Sequence, residues 1–324
     1  MVRYHPGSPW SLCHGEVLAL VYDGFLHCRA AAVISSGGKA QRLANVQSSE
    51  ALRVTVITPT YNQAPFIAQC IRSVLNQTHR NIEYLIFDAC STDGTDKIIE
   101  SYLGDPRIIY RREPDSGQAN AINKGLDTAS GHVVCWLNSD DFFFDHETLA
   151  KVCRIFTDQE KVDAVTGDGY FAAADGSLTA PILVLDASRI SHRALSVADN
   201  FLQPATFWRR NELRLDEDLH FVLDWKLFLA MYKTGRSFFY LREFLAVYRL
   251  HGVAKTAQDN AARKREVCEI LRFSGAGAIV RGWAWLIYRL YSASESLRFP
   301  LIKMLARSAN IAMFHLSRGR IFSC

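Results

Sequence analysis

Apolar positions in the first half of the chain follow two repeating patterns. Short runs rich in β-branched residues lie at 53–58, 82–87, 108–110 and 132–135, and each run predicts a buried strand. Apolar residues between these runs recur at helical spacing and predict helices, the first over about 65–75 and a later one over about 118–128. We expect Pro59 to end the first strand. Strands alternating with helices predict an α/β fold with a mainly parallel sheet and right-handed crossovers.

The second half predicts further elements around the same sheet. A strand is expected at 162–168, followed by a hairpin whose two runs are separated by Asp175 and Gly176.

Polar residues follow each of the first four predicted strands. They are Tyr61 and Asn62, then Asp88, then Glu113 and Asp115, then Asp140 and Asp141. In open α/β sheets the carboxyl ends of the strands form the ligand-binding edge, so we expect these side chains to converge there. Two adjacent carboxylates suit a hard divalent cation that carries phosphates. The alternative for any single position is a polar turn, where Asn, Ser and Asp are common.

Composition narrows the class of protein. Hydrophobic residues make up 49% of the 324 residues and charged residues 22%, which excludes global disorder. A net charge of +4 gives no argument for nucleic acid, and we expect none as a partner. The eight cysteines include no CxxC pair, which favours a reducing, cytoplasmic compartment. No apolar stretch reaches the roughly 18 residues that a membrane span needs.

The pattern divides the chain into three parts. Residues 1–50 form an N-terminal extension with no clear pattern, and the ordered domain is expected over 51–257. Residues 258–324 are interpreted as a basic helical region, where arginines accompany aromatic residues. Such helices suit the headgroup region of an anionic membrane. The alternative is a helical subdomain packed on the core with solvated arginines.

Four segments together resemble the family 2 glycosyltransferases, which are nucleotide-sugar-dependent enzymes of the GT-A fold. The resemblance covers Arg53 to about Thr256. It rests on the order and spacing of motifs at 58–62 (Thr-Pro-Thr-Tyr-Asn), 88–95 (Asp-Ala-Cys-Ser-Thr-Asp-Gly-Thr), 113–118 (Glu-Pro-Asp-Ser-Gly-Gln) and 137–141 (Leu-Asn-Ser-Asp-Asp). It implies a GT-A, Rossmann-like mixed sheet flanked by helices. Ala89 and Asn138 depart from the family pattern, since many relatives carry Asp or Gly at the first position and some carry Asp at the second.

The resemblance also assigns roles to residues on the donor side. It implies that Asp88 binds the donor's base, usually uracil, while Asp140 binds near the ribose and Asp141 holds Mg²⁺ or Mn²⁺. The remaining donor-side residues that it implies are Pro59, Tyr61 and Asn62 around the base, Asp115 and Lys124 beneath the nucleotide, and Arg249 and His251 at the departing diphosphate.

Asp224 matches the family's catalytic carboxylate, which takes the proton of the acceptor hydroxyl. A lone acid near a helix start is also explained by the helix dipole. Lys226 stands where relatives often carry a second acid, whereas the acidic run 216–218 is interpreted as a solvated cap. One base without an internal nucleophile implies inversion of configuration at the sugar, as in the family.

The implied reaction is hexosyl transfer from a nucleoside-diphosphate sugar, expected to be UDP-linked, to a hydroxyl of a glycan or lipid-linked oligosaccharide in surface polysaccharide biosynthesis. Such an acceptor favours a cytoplasmic protein at the inner face of the cell membrane. One alternative is a non-catalytic sugar-nucleotide-binding or scaffold protein on the same fold. Another is a nucleotidyltransferase, for which the expected glycine-rich phosphate loop after the first strand is missing from the sequence.

Overall fold

The computed structural model describes residues 51–184, 186, 195–196, 199–252, 260–275, 277–278, 281–282 and 285–286. The N-terminal extension and most of the basic C-terminal region that the sequence singled out lie outside these residues. So does the boundary expected at 257/258, which falls within 253–259.

The first half of the described chain alternates strands and helices as the sequence predicts. The strand and helix bounds are β1 Val54–Thr60, α1 Ile67–Leu75, β2 Ile82–Asp88, α2 Thr95–Glu100, β3 Ile108–Arg112, α3 Gln118–Thr128 and β4 Val133–Trp136. Strands β1 to β4 are mutually parallel, in the order β3-β2-β1-β4. Their carboxyl ends therefore point to one edge of the sheet.

The second half adds strands of both directions to the same sheet. Its elements are β5 Phe142–Phe143, α4 Thr148–Asp158, β6 Ala164–Ala172, β7 Leu178–Ile182, β8 Thr206–Arg209, α5 Leu223–Lys233, β9 Phe238–Arg249 and α6 Asn260–Phe273. Strand β8 runs antiparallel between β4 and β6, while β6 and β9 are parallel. Strand β7 pairs with β6 as the predicted hairpin. The sheet is thus mixed, and its parallel part is mainly the first half.

Helices cover both faces of the sheet. Alternate residues of β1 face opposite sides, so Val56 packs in one hydrophobic cluster and Ile57 in the other. One cluster includes residues of α1, α2 and α4, and the second includes residues of α3, α5 and α6. The buried aromatic rings of Trp136, Trp208 and Phe228 pack together in the second cluster. This packing fixes β4 and α5, the two elements that carry the candidate acids.

The expectation that Pro59 ends the first strand is wrong, because β1 continues to Thr60. Even-numbered residues of β1 bond toward β2, as in the bond from the Ala89 N–H to the Thr60 carbonyl. The nitrogen of Pro59 therefore points toward β4, whose pairing with β1 stops at Ile57. No ladder bond is lost by the missing N–H, and the proline is tolerated inside the strand.

Within the described residues, no helix is long and apolar enough to span a bilayer. Helix α6 is part of the globular core, since Val267, Ile270 and Leu271 are buried in the same cluster as α3 and α5.

Candidate active site

Asp140 and Asp141 lie in the turn that follows β4, at the carboxyl edge near the middle of the sheet. Asp141 is 1% exposed, and its Oδ1 accepts a hydrogen bond of 3.0 Å from the backbone N–H of Arg249 at the end of β9. Burial raises the pKa of Asp141 well above its ordinary value, and the negative charge of Asp140 raises it further. Two neighbouring carboxylates with insufficient compensating charge make this turn a favourable place for a cation.

A chain of side-chain amides supports Asp141 from behind. Gln118 Nε2, at the start of α3, donates to Asn138 Oδ1 at 2.8 Å. Asn138 Nδ2 donates in turn to Gln203 Oε1 at 3.2 Å and lies 3.4 Å from Asp141 Oδ2. Gln203 Nε2 donates to the Trp136 carbonyl at 2.7 Å. Asn138, which departs from the family pattern, thus supplies an amide N–H toward the acid where an aspartate would add a third negative charge.

Arg249 is buried behind the same turn, with only 2% of its surface exposed. Its guanidinium donates to the Asp140 carbonyl, the Ala174 carbonyl and Gln69 Oε1, at 2.7, 2.9 and 2.7 Å. Contact between Arg249 and the departing diphosphate stays a prediction. In this structure its donors are directed to protein acceptors, which makes it a positioning residue for the two acids.

His251 follows β9 and lies beside Asp140. Its Nε2 is 2.9 Å from Asp140 Oδ2, and its ring packs 4.5 Å from the Phe66 ring. The side chain is only 4% exposed, and its buried Nδ1 has no hydrogen-bond partner. An imidazole nitrogen buried without a partner is costly unless a ligand or an ion uses it.

These residues fit Mg²⁺ or Mn²⁺ only if a ligand completes the coordination shell. Among the described residues, no group of three or more His, Cys, Asp and Glu side chains is arranged to hold a metal by itself. Mg²⁺ in proteins commonly takes one or two carboxylates, with phosphate oxygens and water as the other ligands. The buried Asp141 and the neighbouring Asp140 match that pattern.

Asp88 ends β2 at the same edge, but its side chain is fully buried. Its Oδ1 accepts from the N–H and the hydroxyl of Ser91 at 2.9 and 2.6 Å, and its Oδ2 accepts from the Tyr110 hydroxyl at 2.9 Å. The guanidinium of Arg112, which is 44% exposed, lies 3.6 Å from Oδ2. Asp88 thus organises the loop after β2, while Arg112 presents the exposed charge there.

The loop after β1 crosses over the loop after β2. The Asn62 N–H donates to Ser91 Oγ at 2.9 Å, and Asn62 Oδ1 accepts from the Thr92 N–H at 2.8 Å. Asn62 takes a positive φ of 52°, and Cys90 one of 61°, a conformation that few non-glycine residues adopt. Tyr61 is 58% exposed beside them, whereas Pro59 is buried inside β1. An exposed aromatic ring on a well-bonded loop offers a stacking surface for a planar ligand group.

The two candidates beneath the nucleotide have local partners. Asp115 Oδ1 accepts from the Gly117 N–H at 2.9 Å and shapes the turn into α3. Lys124 Nζ lies 2.9 Å from Glu113 and donates to the Pro114 carbonyl at 3.0 Å. Lys124 therefore fastens α3 to the loop after β3 and leaves about a third of its own side chain exposed.

Asp224 lies in the first turn of α5 and is half-buried. Its Oδ1 accepts from the adjacent Trp225 N–H at 2.8 Å. Burial raises the pKa of Asp199, and the negative charge of Asp224 raises it further, so the two carboxylates are neighbours. The structure thus brings together two acids where the sequence indicated one.

The acidic run 216–218 makes specific side-chain contacts, whereas a solvated cap would face water. Asp216 pairs with Lys226, and Glu217 accepts from the side chains of Asn120 and Asn123 at 2.9 Å each.

Several supporting residues escaped the sequence-based reasoning, because their partners are distant along the chain: Arg112, Gln118, Asp199, Gln203 and Glu217. The signal available for Gln118 was its place at the end of the motif 113–118.

Comparison with known sequences shows similarity to glycosyltransferases over part of this chain. The sequence model of the family described as Glycosyl transferase family 2 matches residues 55–194. TuaG of Bacillus subtilis, assigned to teichuronic acid biosynthesis, is 47% identical over 90 residues, which are 27% of this chain and 36% of TuaG. A PGL/p-HBAD biosynthesis glycosyltransferase of Mycobacterium bovis is 35% identical over 117 residues, 35% of this chain and 45% of the relative. The chain thus spans less than half the length of these relatives.

Solved structures share the fold. Staphylococcus aureus TarS 1–349 in complex with UDP-GlcNAc aligns with a TM-score of 0.57 at 17% identity, covering 82% of this chain and 81% of TarS. The mannosyltransferase PcManGT of Pyrobaculum calidifontis, in complex with GDP-Man and Mn²⁺, aligns with a TM-score of 0.54 at 20% identity, covering 82% of both chains. At this identity the likeness establishes the GT-A fold alone.

Proposed function

Residues 55–194 belong to glycosyl transferase family 2, and from this premise we propose that the protein transfers a sugar from a nucleoside-diphosphate sugar to a hydroxyl acceptor. The observation that carries the proposal is the carboxylate pair of the partly exposed Asp140 and the buried Asp141 at the carboxyl edge of the sheet, beside the unpartnered nitrogen of His251. This edge is where open α/β sheets bind their ligands. Relatives assigned to the synthesis of a wall polysaccharide and of a glycolipid agree with a role in surface polysaccharide assembly.

The donor's base is proposed to lie between the loops after β1 and β2. Tyr61 offers an exposed ring there, and Pro59 and Asn62 fix the path of its loop. Asp88 is fully buried and supports the loop after β2 through its bonds from Ser91 and Tyr110, so the preference for UDP-linked donors rests on the resemblance to the family. Asp115 and Lys124 support the nucleotide indirectly, since their contacts order the turn before α3 and the loop after β3.

The diphosphate is proposed to lie over Asp140, Asp141 and His251. Bound Mg²⁺ or Mn²⁺ would act there as a Lewis acid that neutralises the leaving diphosphate, an effect typically worth several kcal/mol. Asp141 would hold the cation and Asp140 would lie on the ribose side, while Arg249 keeps both in place through its contacts with the turn. The raised pKa of Asp141 supports this assignment, because a cation relieves the electrostatic strain that the buried charge creates.

Asp224 is proposed to take the proton from the acceptor hydroxyl as it attacks the anomeric carbon. A positioned carboxylate base contributes roughly 10²- to 10⁴-fold to such a step. The new glycosidic bond forms as the bond to the diphosphate breaks, and the proton passes to a carboxylate oxygen of Asp224. A single displacement of this kind inverts the configuration at the sugar.

The acceptor is proposed to be a glycan or a lipid-linked oligosaccharide at the inner face of the cell membrane. Lys264 and Arg265 on α6 are exposed, which supports peripheral contact of the basic C-terminal region, residues 258–324, with anionic lipids. We expect the protein to sediment with anionic vesicles at low salt and to be released at high salt. Failure to sediment with the vesicles at any salt concentration would contradict the proposed contact with the membrane.

Donor hydrolysis tests the proposed activity directly. Purified protein with Mn²⁺ is given UDP-, GDP- and dTDP-sugars, with water as the acceptor, and release of the nucleoside diphosphate is measured. We expect one base to be preferred and release to stop without metal, in Asp141→Asn and in Asp224→Asn. Nucleotide binding by calorimetry without any turnover, even with extracts that contain acceptors, would instead favour a sugar-nucleotide-binding scaffold.

A further inference from the structure

Helix α5, which carries Asp224, begins without a cap from its own sequence. Val222 stands immediately before the helix and makes no side-chain capping hydrogen bond. Backbone N–H groups at the start of a helix have no intrahelical partners. The segment just before Leu223 lies beside buried core residues, so its N–H groups are shielded from water. The N–H groups of residues 220–222, directly before the helix, therefore need an acceptor from elsewhere in the chain.

Glu266 of α6 supplies that acceptor. Its Oε1 accepts from the His220 N–H at 2.9 Å, and its Oε2 accepts from the N–H groups of Phe221 and Val222 at 2.7 and 3.3 Å. Glu266 is only 8% exposed, so these charge-assisted bonds form with little competition from water. One carboxylate thus binds three consecutive N–H groups directly before the helix that presents Asp224.

The attachment between the two helices continues along α5. Lys226 lies 3.5 Å from Glu269, and Lys233 Nζ donates to the Phe273 carbonyl at 2.7 Å. Val267, Ile270 and Leu271 bury the other side of α6 in the core. Because α6 is fixed by this packing, Glu266 holds the segment 220–222 against a rigid support.

We propose that Glu266 is a positioning residue for Asp224, acting through the backbone of residues 220–222. The inference rests on the proposed function, since it gives Asp224 the role of the base. Asp224 lies only two residues beyond Val222, so a shift of this backbone moves its carboxylate relative to the attacking oxygen. Displacements of about 1 Å in a catalytic group cost on the order of 10²-fold in rate.

Glu269 offers a matched control on the same helix. It is the same residue type, its side chain is 53% exposed, and Lys226 is its partner at 3.5 Å. Glu269→Ala therefore removes the same charge from α6 without touching the N–H groups of residues 220–222. Glu266→Gln keeps the size and one acceptor oxygen, so it preserves part of the capping if Glu266→Ala fails to fold.

The test measures hydrolysis of the donor that the wild type prefers among UDP-glucose, UDP-galactose and UDP-GlcNAc, together with UDP binding and amide hydrogen exchange. For Glu266→Ala we expect kcat to fall roughly 10- to 100-fold, with the Kd of UDP unchanged. Exchange at residues 220–225 should accelerate. Glu266→Gln should recover part of kcat, and Glu269→Ala should match the wild type.

Three outcomes overturn the inference. Unchanged kcat in Glu266→Ala, despite faster exchange at residues 220–225, would show that the contact is structural only. An equal fall of kcat in Glu269→Ala would assign the effect to the charge of α6. Parallel loss of UDP binding and of overall exchange protection would mean that Glu266 supports the whole fold. If instead the wild type and Asp224→Asn both lack turnover, the proposed function itself fails, which is a distinct result.

Discussion

The backbone N–H of Arg249 donates to Asp141 Oδ1 at 3.0 Å, although the two residues are 108 positions apart in the chain. The same arginine donates through its side chain to the Asp140 carbonyl. The end of β9 thus fixes the turn after β4 by both its backbone and its guanidinium. The turn carries both Asp140 and Asp141. The geometry of the proposed metal site therefore depends on β9, a strand about a hundred residues further along the chain.

Arg249→Lys is expected to destabilise the protein although it keeps the charge. A single ammonium group cannot reach the Gln69, Ala174 and Asp140 acceptors that the planar guanidinium serves together. We expect the free energy of unfolding to fall by about 2–4 kcal/mol, measured by urea denaturation. Arg111→Lys, at an exposed position on β3, is the control and should change it by less than ~0.5 kcal/mol. Equal effects at both positions would contradict the positioning role.

Asp141→Asn is expected to separate stability from activity. The folded-state pKa of Asp141 is raised, so its ionised form destabilises the metal-free fold at neutral pH. The neutral amide should raise the Tm of the metal-free protein at pH 7, and this gain should shrink as pH falls and the wild-type carboxyl becomes protonated. Donor hydrolysis should drop by roughly 10²-fold or more. A rise in Tm on adding Mn²⁺ that persists in the variant would remove Asp141 from the metal site.

Gly176→Ala is expected to disturb the site from the tip of the β6–β7 hairpin. Gly176 has a φ of +88°, and an added Cβ would lie 2.8 Å from Gln69 Oε1, which accepts from Arg249. Gly235→Ala is the matched control, because Gly235 has a φ of +77° with no atom within 4 Å of an added Cβ. Positive φ alone costs about 1 kcal/mol, so thermal unfolding should reveal a larger loss at Gly176. Equal losses of stability in the two variants would mean that the hairpin tip shifts to accommodate the added Cβ without displacing Gln69.

Asp168→Asn is expected to flatten part of the pH dependence of stability. Burial raises the pKa of Asp168, although hydrogen bonds from the Val184 N–H and the Tyr240 hydroxyl oppose the shift. A raised folded-state pKa means that stability is full below the unfolded value of about 4 and declines as pH rises through the folded value. Tm measured from pH 4 upward should decline less in the variant. An unchanged profile would show that Asp168 ionises without cost.

Much of the first half could be predicted because its signals are local. Helix α3 begins and ends where the pattern places it, and β2 ends at Asp88 as expected. The convergence of strand ends also follows from a general rule of parallel sheets. The prediction failed at Pro59, because whether a proline is tolerated depends on which neighbouring strand its nitrogen faces.

By itself, the sequence determined the alternation of elements, the acids at the strand ends and the match of residues 55–194 to the model of glycosyl transferase family 2. Only the tertiary structure decided which of those side chains are buried and what they contact. In the folded chain, the Arg249 side chain donates to Gln69, and Asn138 bonds to Gln203, 65 residues away. Glu266 accepts hydrogen bonds just before the helix that carries Asp224. The physical reason is that periodicity and turn chemistry act over a few residues, whereas burial and hydrogen-bond partners are set by contacts between segments far apart in the chain.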